Sequence, residues 1–431
     1  MLGAFANAFR TPDLRNKLLF VLLIIALFRL GSQVPSPGVD VANVQRCLAG
    51  LETSGLYGLI NMFSGGALLQ LSIFALGIMP YITASIILQL LVVVIPRLER
   101  LKEEGQAGQA KITQYTRYLT LGLAILQATG IVALARSGDL IQGCTYPLLH
   151  NDSISLFLVV VVVMTAGTAV IMWFGELITD RGVGNGMSIL IFTQVVATFP
   201  ASLWDIQQRK SWWVFAVVLV IGLILIAGVI FIEQAQRRIP VQYARRMVGR
   251  KMFGGNSTYI PLKVNQAGII PVIFASSLLY LPAMAIQFSQ NSSNAFVSFL
   301  KKYFQDGDHP LYMATFFALI IFFTYFYVSI TFNPKEVADN MKKYGGFIPG
   351  IRAGKSTEEY LSYVLSRITF PGALYLGLIS LVPLIAFVLI GANQNFPFGG
   401  TSILIMVGVA LDTVKQIESQ LQQRNYEGFL R

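Results

Sequence analysis

The chain has 431 residues, of which 55% are apolar and only 12% are charged. Soluble proteins usually carry about 25% charged residues, so this composition excludes an ordinary soluble domain. The net charge of +11 has two interpretations. It belongs either to membrane-protein loops that attract anionic lipid or to a docking surface for an acidic partner, such as RNA or an acidic protein.

Ten apolar segments have the length that a transmembrane helix needs, which is roughly 20 residues. They predict an all-α integral membrane protein with ten transmembrane helices. In chain order, the predicted spans are 18–34, 71–95, 117–135, 154–174, 184–204, 212–232, 266–287, 311–332, 368–390 and 398–414.

The distribution of Lys and Arg predicts the orientation of these spans, because cytoplasmic loops hold an excess of both residues. With the N-terminus inside, most of the 32 Lys and Arg residues fall in inner segments. The two most basic loops, 233–264 and 333–367, then lie on the same side. An even number of spans with both termini in the cytoplasm is therefore expected.

The outer segment that follows the first span, residues 35–70, is longer than structureless loops usually are. Four of its apolar residues have spacings that bring them to one helical face; they are Leu56, Leu59, Ile60 and Phe63. The pattern indicates either a short interfacial helix on the membrane or a small mobile element that folds back into the mouth of a pore.

Both cysteines of the chain, Cys47 and Cys144, fall in predicted outer segments. Disulfides persist in oxidising compartments outside the cytoplasm. The sequence is equally compatible with a disulfide between the two residues and with two unrelated thiols.

An internal repeat divides the chain into two parts. Residues 77–88 read GIMPYITASIIL and residues 268–279 read GIIPVIFASSLL, while residues 186–191 and 400–405 read GMSILI and GTSILI. The members of each pair are five spans apart, and an odd number of spans inverts the second half. The sequence therefore predicts two pseudo-symmetric inverted halves, 1–205 and 206–431, around a central pore.

The repeated spans carry large apolar residues at equivalent places in the two halves. A narrow apolar constriction gates by dewetting, which excludes water and ions without binding them. Each residue by itself fits ordinary helix packing, but together they indicate a sealing ring. The candidate ring consists of Ile78, Ile82, Met187, Ile191, Ile273 and Ile405.

Two other functional classes lack the residues that they require. A secondary transporter normally keeps ionisable residues inside its spans, and this chain has almost none there. An intramembrane enzyme would need a catalytic constellation, and the sequence contains no HExxH, GxSxG or P-loop motif. We therefore expect no enzymatic activity, no cofactor and no metal site.

Long stretches of the chain resemble one known family. They include IFALGIMPYITASIILQLL, KITQYTRYLTLGLAI, ITDRGVGNGMSILIF, STYIPLKVNQAGIIPVIFASS and FNPKEVADNMKKYGGFIPGIRAGKSTEEYL. Through these stretches the chain is similar to the SecY family, the pore subunits of the bacterial protein-conducting channel. The resemblance runs nearly from end to end.

The resemblance implies roles for particular residues. The family has an hourglass pore whose ring corresponds to the same six residues, and Met187 departs from the usual branched aliphatic. The family's plug corresponds to about 54–70. A lateral gate between spans 2–3 and spans 7–8 would contain the polar residues Thr83, Gln127 and Asn265.

The resemblance also implies partners and a location, the cytoplasmic membrane of a bacterium. The basic loops would dock the SecA motor ATPase or the ribosome through Arg250, Lys251 and Arg352. Lys251 lacks the planar fork by which an arginine contacts phosphate in two places. SecE and SecG would be membrane partners, and unfolded secretory polypeptides, signal sequences and membrane helices would be the cargo.

The predicted orientation can be tested with thiol chemistry. After reduction of intact cells, a membrane-impermeant maleimide should label Cys47 and Cys144, because both lie in predicted outer segments. Mass spectrometry of the purified chain would locate the label. Labelling that occurs only in inverted vesicles, which expose the cytoplasmic face, would overturn the orientation.

Overall fold

The computed structural model describes most of the chain. The described residues are 11–49, 66–68, 70–137, 146–150, 153–209, 212–243, 246–248, 251–253, 257–288, 295–304, 309–390 and 400–429. All structural statements below concern these residues.

Helices dominate the described residues. The first seven are α1 (Pro12–Gln33), α2 (Val41–Ala49), α3 (Met79–Val94), α4 (Pro96–Glu103), α5 (Gln106–Ser137), α6 (Ile154–Arg181) and α7 (Gly186–Arg209). The next seven are α8 (Trp212–Gln234), α9 (Ile270–Phe288), α10 (Ala295–Phe304), α11 (Pro310–Thr331), α12 (Pro334–Lys343), α13 (Lys355–Ile390) and α14 (Gly400–Phe429).

A helix overlaps each of the ten predicted spans, but fewer helices are long and apolar enough to cross a bilayer. Five described helices meet that requirement, and a sixth does so if α3 and α4, which bend by 104°, count as one broken span. The apolar parts of α7 and α9 are shorter, covering Gly186–Pro200 and Ile270–Leu279. Several membrane-crossing helices are thus present, while the number ten stays a prediction.

The predicted span 71–95 begins with residues that are not helical. Residues 71–78 form turns, and the helix begins only at Met79. Leu71 and Gly77 have positive φ angles of 48° and 57°, a conformation that a right-handed helix cannot contain. Hydropathy does not detect this break, because the turn residues are as apolar as the helix that follows them.

The helices pack in two corresponding series, one in each part of the chain. In the first part of the chain, α3 packs on α5, α5 on α6, and α6 on α7. In the second part, α9 packs on α11, α11 on α13, and α13 on α14. Between the two parts, α3 contacts α9, and α7 contacts both α8 and α14. The large apolar core lies where these central helices meet.

The outward faces of several helices are apolar as well. On α8, Val217, Leu223, Ile224 and Phe231 are each more than half exposed. A helix that is hydrophobic all round is typical of a membrane span, because lipid rather than water surrounds its outer face.

A second apolar cluster joins α2 to residues 146–150 and to parts of α5 and α6. Asp40 caps α2 by accepting a hydrogen bond from the Asn43 amide (3.1 Å), and the Asn43 side chain donates to the Pro147 carbonyl (3.1 Å). The sequence prediction treated this region as part of a loop. The Asp40 cap was the signal for the missed helix.

Cys47 of α2 is disulfide-bonded. The other cysteine of the chain, Cys144, lies outside the described residues. Reduction must therefore precede any labelling of Cys47.

The chain is mostly helical rather than all-α, because the two long basic loops contain strands. The strands are β1 (Gln236–Tyr243), β2 (Arg246–Val248), β3 (Lys251–Phe253), β4 (Ser257–Lys263) and β5 (Gly346–Phe347). β1 pairs antiparallel with both β4 and β5, and β2 pairs with β3. In β1, only Ile239 and Val241 are buried, so one face of the strand is apolar.

The pairing of β1 with β5 joins the two basic loops into one folded body. Residues of β1, β4, α12 and α13 form a small apolar core of their own, which includes Val241, Leu262, Met341 and Leu361. We call this body, made of β1, β4, β5, α12 and the start of α13, the loop unit. The sequence prediction described the same residues only as two basic loops.

Glycine allows α6 to approach the 71–78 turn closely, and this contact gives a prediction about stability. A Cβ atom at Gly167 of α6 would lie 2.1 Å from the Ile73 carbonyl oxygen, whereas one at Gly228 of α8 would meet nothing within 4 Å. Gly167→Ala should destabilise the fold by about 1–3 kcal/mol, because the backbone of the 71–78 turn must move. Thermal unfolding of the purified protein would measure this loss.

Gly228→Ala is the matched control for that variant. It should leave stability unchanged or raise it by up to about 1 kcal/mol, because alanine is the better helix former. Equal unfolding midpoints for Gly167→Ala and Gly228→Ala would contradict the close contact.

Candidate functional site

The six candidate ring residues meet in the large apolar core. Five of them are at most 9% exposed and belong to the core cluster, and the partly buried Met187 packs against it. They come from the turn before α3 and from α3, α7, α9 and α14. The tertiary fold therefore brings together residues that are up to 327 positions apart in the numbering, from Ile78 to Ile405.

The start of α7 is fixed by several short-range contacts. The Asn185 side chain accepts hydrogen bonds from the amides of Met187 (3.1 Å) and Ser188 (3.3 Å). The Gly186 amide donates to the Thr179 hydroxyl of α6 at 2.9 Å. These bonds hold the first turn of α7 against α6, and the spacing of four residues brings Met187 and Ile191 to one face of α7.

Met187 has a specific neighbour on α6. A Cβ atom at Gly175 would lie 2.4 Å from the Met187 sulfur, so the thioether occupies the space that the missing side chain leaves. An unbranched and flexible side chain fills such an irregular gap well. This contact gives a packing reason for methionine at this position of α7.

The three candidate gate residues lie in different surroundings. The Thr83 hydroxyl donates to the Met79 carbonyl at 3.0 Å within α3, and Gln127 is buried on α5. Asn265 is buried just before α9, where its amide group donates to Glu233 and to the Gly268 carbonyl. The hydrogen bonds of Asn265 thus run to the end of α8 and to its own turn. Its role in a gate stays a prediction.

The candidate plug residues Leu56, Leu59, Ile60 and Phe63 lie outside the described residues. The described chain that follows is firmly packed. Leu68 and Leu71 are buried, and the Ser36 amide donates to the Leu71 carbonyl at 2.9 Å.

The candidate docking residues come from the two basic loops. Lys251 begins β3, and its neighbour Arg250 lies outside the described residues. Arg352 is exposed in the turn between β5 and α13, and its carbonyl accepts a hydrogen bond from the Thr357 hydroxyl at 2.9 Å. Gly350 and Gly354, with φ angles of 82° and 106°, shape this turn on either side of Arg352.

Two polar contacts near the ends of predicted spans were missed by the sequence prediction. Arg117 of α5 makes a two-pronged contact with Glu176 of α6 at 2.7 and 2.9 Å. Glu233, at the end of α8, is only 9% exposed and accepts a hydrogen bond from the Asn265 side chain at 2.5 Å. Charge at span ends was visible in the sequence, but the partners are far apart along the chain.

Nothing in the described residues suggests chemistry at a metal ion. They contain no group of three or more His, Cys, Asp or Glu residues that could hold one.

Buried threonines of the helices donate mainly to the carbonyl four residues earlier, as Thr120, Thr168 and Thr324 do.

Comparison with known proteins identifies the family. A family model named SecY matches residues 72–414. The protein translocase subunit SecY of Streptomyces galbus is 66% identical over 438 residues, and that of Mycobacterium bovis is 60% identical over 443 residues. Each alignment covers 100% of both chains.

Solved structures support the fold at much lower sequence identity. One, described as "The structure of a protein conducting channel", has a TM-score of 0.62 at 18% identity and covers 94% of this chain and 91% of the other. Another, "Sec61 in the Canine ribosome-channel complex from the endoplasmic reticulum", has a TM-score of 0.59 at 16% identity with the same coverage. The resemblance seen in the sequence is confirmed: the chain belongs to the SecY family.

Proposed function

We propose that the chain is the pore-forming subunit of a protein-conducting channel. It carries unfolded secretory polypeptides across the cytoplasmic membrane of a bacterium and releases membrane helices sideways into the lipid. The observation that carries this proposal is that five of the six candidate ring residues lie in one apolar core cluster and the sixth, Met187, packs against it.

The architecture proposed is ten spans in two inverted halves, 1–205 and 206–431. In such an arrangement, equivalent spans meet across the pseudo-two-fold axis. The contacts of α3 with α9 and of α7 with α14 join the second span to the seventh and the fifth to the tenth, which supports it. The two corresponding packing series, α3–α5–α6–α7 and α9–α11–α13–α14, support it as well.

The proposed seal works without binding anything. Water leaves a narrow constriction that is lined by branched apolar side chains, and ions do not cross a dry constriction. Residues 54–70 are proposed to be the plug that closes the pore from outside. A polypeptide passes because the same side chains offer no hydrogen bonds or charges that would retain it.

The proposed side exit lies between α3 and α5 on one side and α9 and α11 on the other. Helices α3 and α9 are in contact, while each packs more extensively within its own half. Separation of the two halves at this seam would open a path from the pore to lipid. Thr83, Gln127 and Asn265 are proposed as polar residues of this gate.

The driving force is proposed to come from outside the chain. The loop unit carries Arg352, and Arg250 and Lys251 belong to the basic loop 233–264 that supplies β1 and β4, which suits the docking of the SecA ATPase or of ribosomal RNA. The relative solved with a canine ribosome has the same fold. The chain itself is a passive channel rather than an enzyme, and SecE and SecG are its proposed membrane partners.

Widening the ring tests the seal. The double variant Ile191→Gly with Ile405→Gly should raise the resting ion conductance, because both side chains are buried in the core and their loss lets water enter. Purified complexes in planar bilayers would provide the measurement.

The matched control for the ring changes exposed positions of the same helices. Val196→Gly on α7 and Ala410→Gly on α14 should leave the resting conductance at the wild-type level, because both residues face outward. A folded ring variant that conducts no more than this control would refute the seal.

Reversing one charge tests the docking surface. Arg352→Glu should strongly reduce motor-driven translocation into reconstituted vesicles while leaving assembly intact, because the exposed guanidinium makes no side-chain contact that the fold requires. The control is Lys302→Glu on α10, an exposed lysine in a predicted outer segment. Normal translocation by Arg352→Glu would rule out the role of this residue.

A further inference from the structure

A buried carboxylate connects the end of α8 to the start of α9. Glu233 is 9% exposed, Asn265 is 3% exposed, and the Asn265 amide nitrogen lies 2.5 Å from a Glu233 carboxylate oxygen. The same nitrogen lies 3.1 Å from the Gly268 carbonyl oxygen. One asparagine therefore links the preceding helix to the turn from which α9 begins.

The backbone of this turn requires a glycine at its tip. Gly268 has a φ angle of 61°, which a residue with a side chain rarely adopts. The turn is also tied to the end of α8 by a backbone bond, from the Val264 amide to the Ala235 carbonyl at 3.0 Å.

Helices α13 and α14 close the turn from the other sides. A Cβ atom at Gly372 of α13 would lie 2.5 Å from the Val264 carbonyl oxygen, and one at Gly408 of α14 would lie 3.1 Å from the Ile269 side chain. Gly372 therefore has no room for a side chain, and a Cβ atom at Gly408 would fit only if the Ile269 side chain shifted by a few tenths of an ångström. The turn is thus held between three helices, with Glu233 as its charged contact.

The position of the turn in the chain gives it mechanical importance. Residues 264–269 connect β4 of the loop unit directly to α9, and α9 carries the ring residue Ile273. Along the backbone, residues 264–269 are the shortest connection between the loop unit and the ring. The contacts around Asn265 tie the segment that leads into the first turn of α9 to the end of α8.

Because it is buried, the Glu233–Asn265 contact depends more on its hydrogen bonds than a surface ion pair does. A buried carboxylate loses hydration and is stabilised mainly by the hydrogen bonds that it accepts. Lys263, Asp412 and Lys415 are the charged groups near Glu233, and Lys263 lies 3.7 Å from the exposed Asp412. The buried Glu233–Asn265 hydrogen bond joins the end of α8 to the turn, and the exposed Lys263–Asp412 ion pair joins the end of β4 to α14.

We propose that Glu233 and Asn265 are positioning residues that hold α9 in the sealed position and that transmit displacement of the loop unit to the ring. This Glu233–Asn265 joint rests on the function proposed above and adds to it the contact that couples the docking surface to the seal. Loss of the joint should release α9 and loosen the constriction at Ile273.

The test compares variants of the purified complex in planar bilayers. Glu233→Ala and Asn265→Ala should each raise the resting ion conductance about tenfold, the size of effect typical of a lost hydrogen bond to a charged group. The double variant should conduct no more than either single variant, because both remove the same bond. Glu233→Gln keeps an acceptor oxygen and should stay within about twofold of wild type.

A control variant and a measurement of stability distinguish a positioning role of Glu233 and Asn265 from general destabilisation of the fold. Asp412→Asn removes the exposed partner of Lys263 and should leave the conductance unchanged. Thermal unfolding is measured for every variant. If the alanine variants do not fold, Glu233→Asp, which is one methylene too short to reach Asn265, should leak while Glu233→Gln stays sealed.

The outcomes distinguish the joint from the function on which it rests. Folded variants that translocate normally and conduct like wild type would overturn the joint and leave the channel intact. A wild-type complex that translocates no secretory protein with its motor would overturn the proposed function instead. Equal conductance of Glu233→Asp and Glu233→Gln would also refute the joint.

Discussion

Close packing of branched apolar side chains at the meeting point of the central helices is the interaction on which the other features depend. It fills the interior with Ile78, Ile191, Ile273 and Ile405, none of which offers a polar group to water or to cargo. Such packing forms only if helix axes and turns approach closely. Glycine makes this approach possible at Gly167, where a side chain would collide with the Ile73 carbonyl.

The polar groups are arranged around this apolar centre. Buried threonine hydroxyls donate within their own helices, so they require no partner across the core. Charged contacts occur near the ends of the predicted spans, as in the pairing of Arg117 with Glu176 and of Glu233 with Asn265. Charge is less costly there than at the bilayer centre, and it can fix one helix relative to another without interrupting the apolar interior.

The two basic loops also depend on apolar packing, which forms the small core of the loop unit. Its strands and its small core give the basic residues a folded support, since a flexible loop would not transmit a displacement. β4 leads through residues 264–269 into α9, so the proposed docking surface and the proposed ring share one covalent connection. A motor or a ribosome that moves the loop unit would thereby act on the seal.

The sequence predicted the broad features well but missed those that depend on distant contacts. Hydropathy located a helix at every predicted span, and the repeat selected five ring residues that prove buried together. It did not detect the turn at 71–78, because turn and helix are equally apolar. It also missed β1, since the two buried positions Ile239 and Val241 are too few to stand out in a basic loop.

The sequence by itself determined that the chain is a membrane protein with sparse internal charge, a basic side and an internal repeat. These are properties of composition and order, and each follows from how single segments partition between water and lipid. Only the tertiary structure decided which residues touch: Met187 beside Gly175, β1 beside β5, and Asn265 beside Glu233. The physical reason is that packing and hydrogen bonding depend on distances in space, and these arise only when segments far apart in the chain come together.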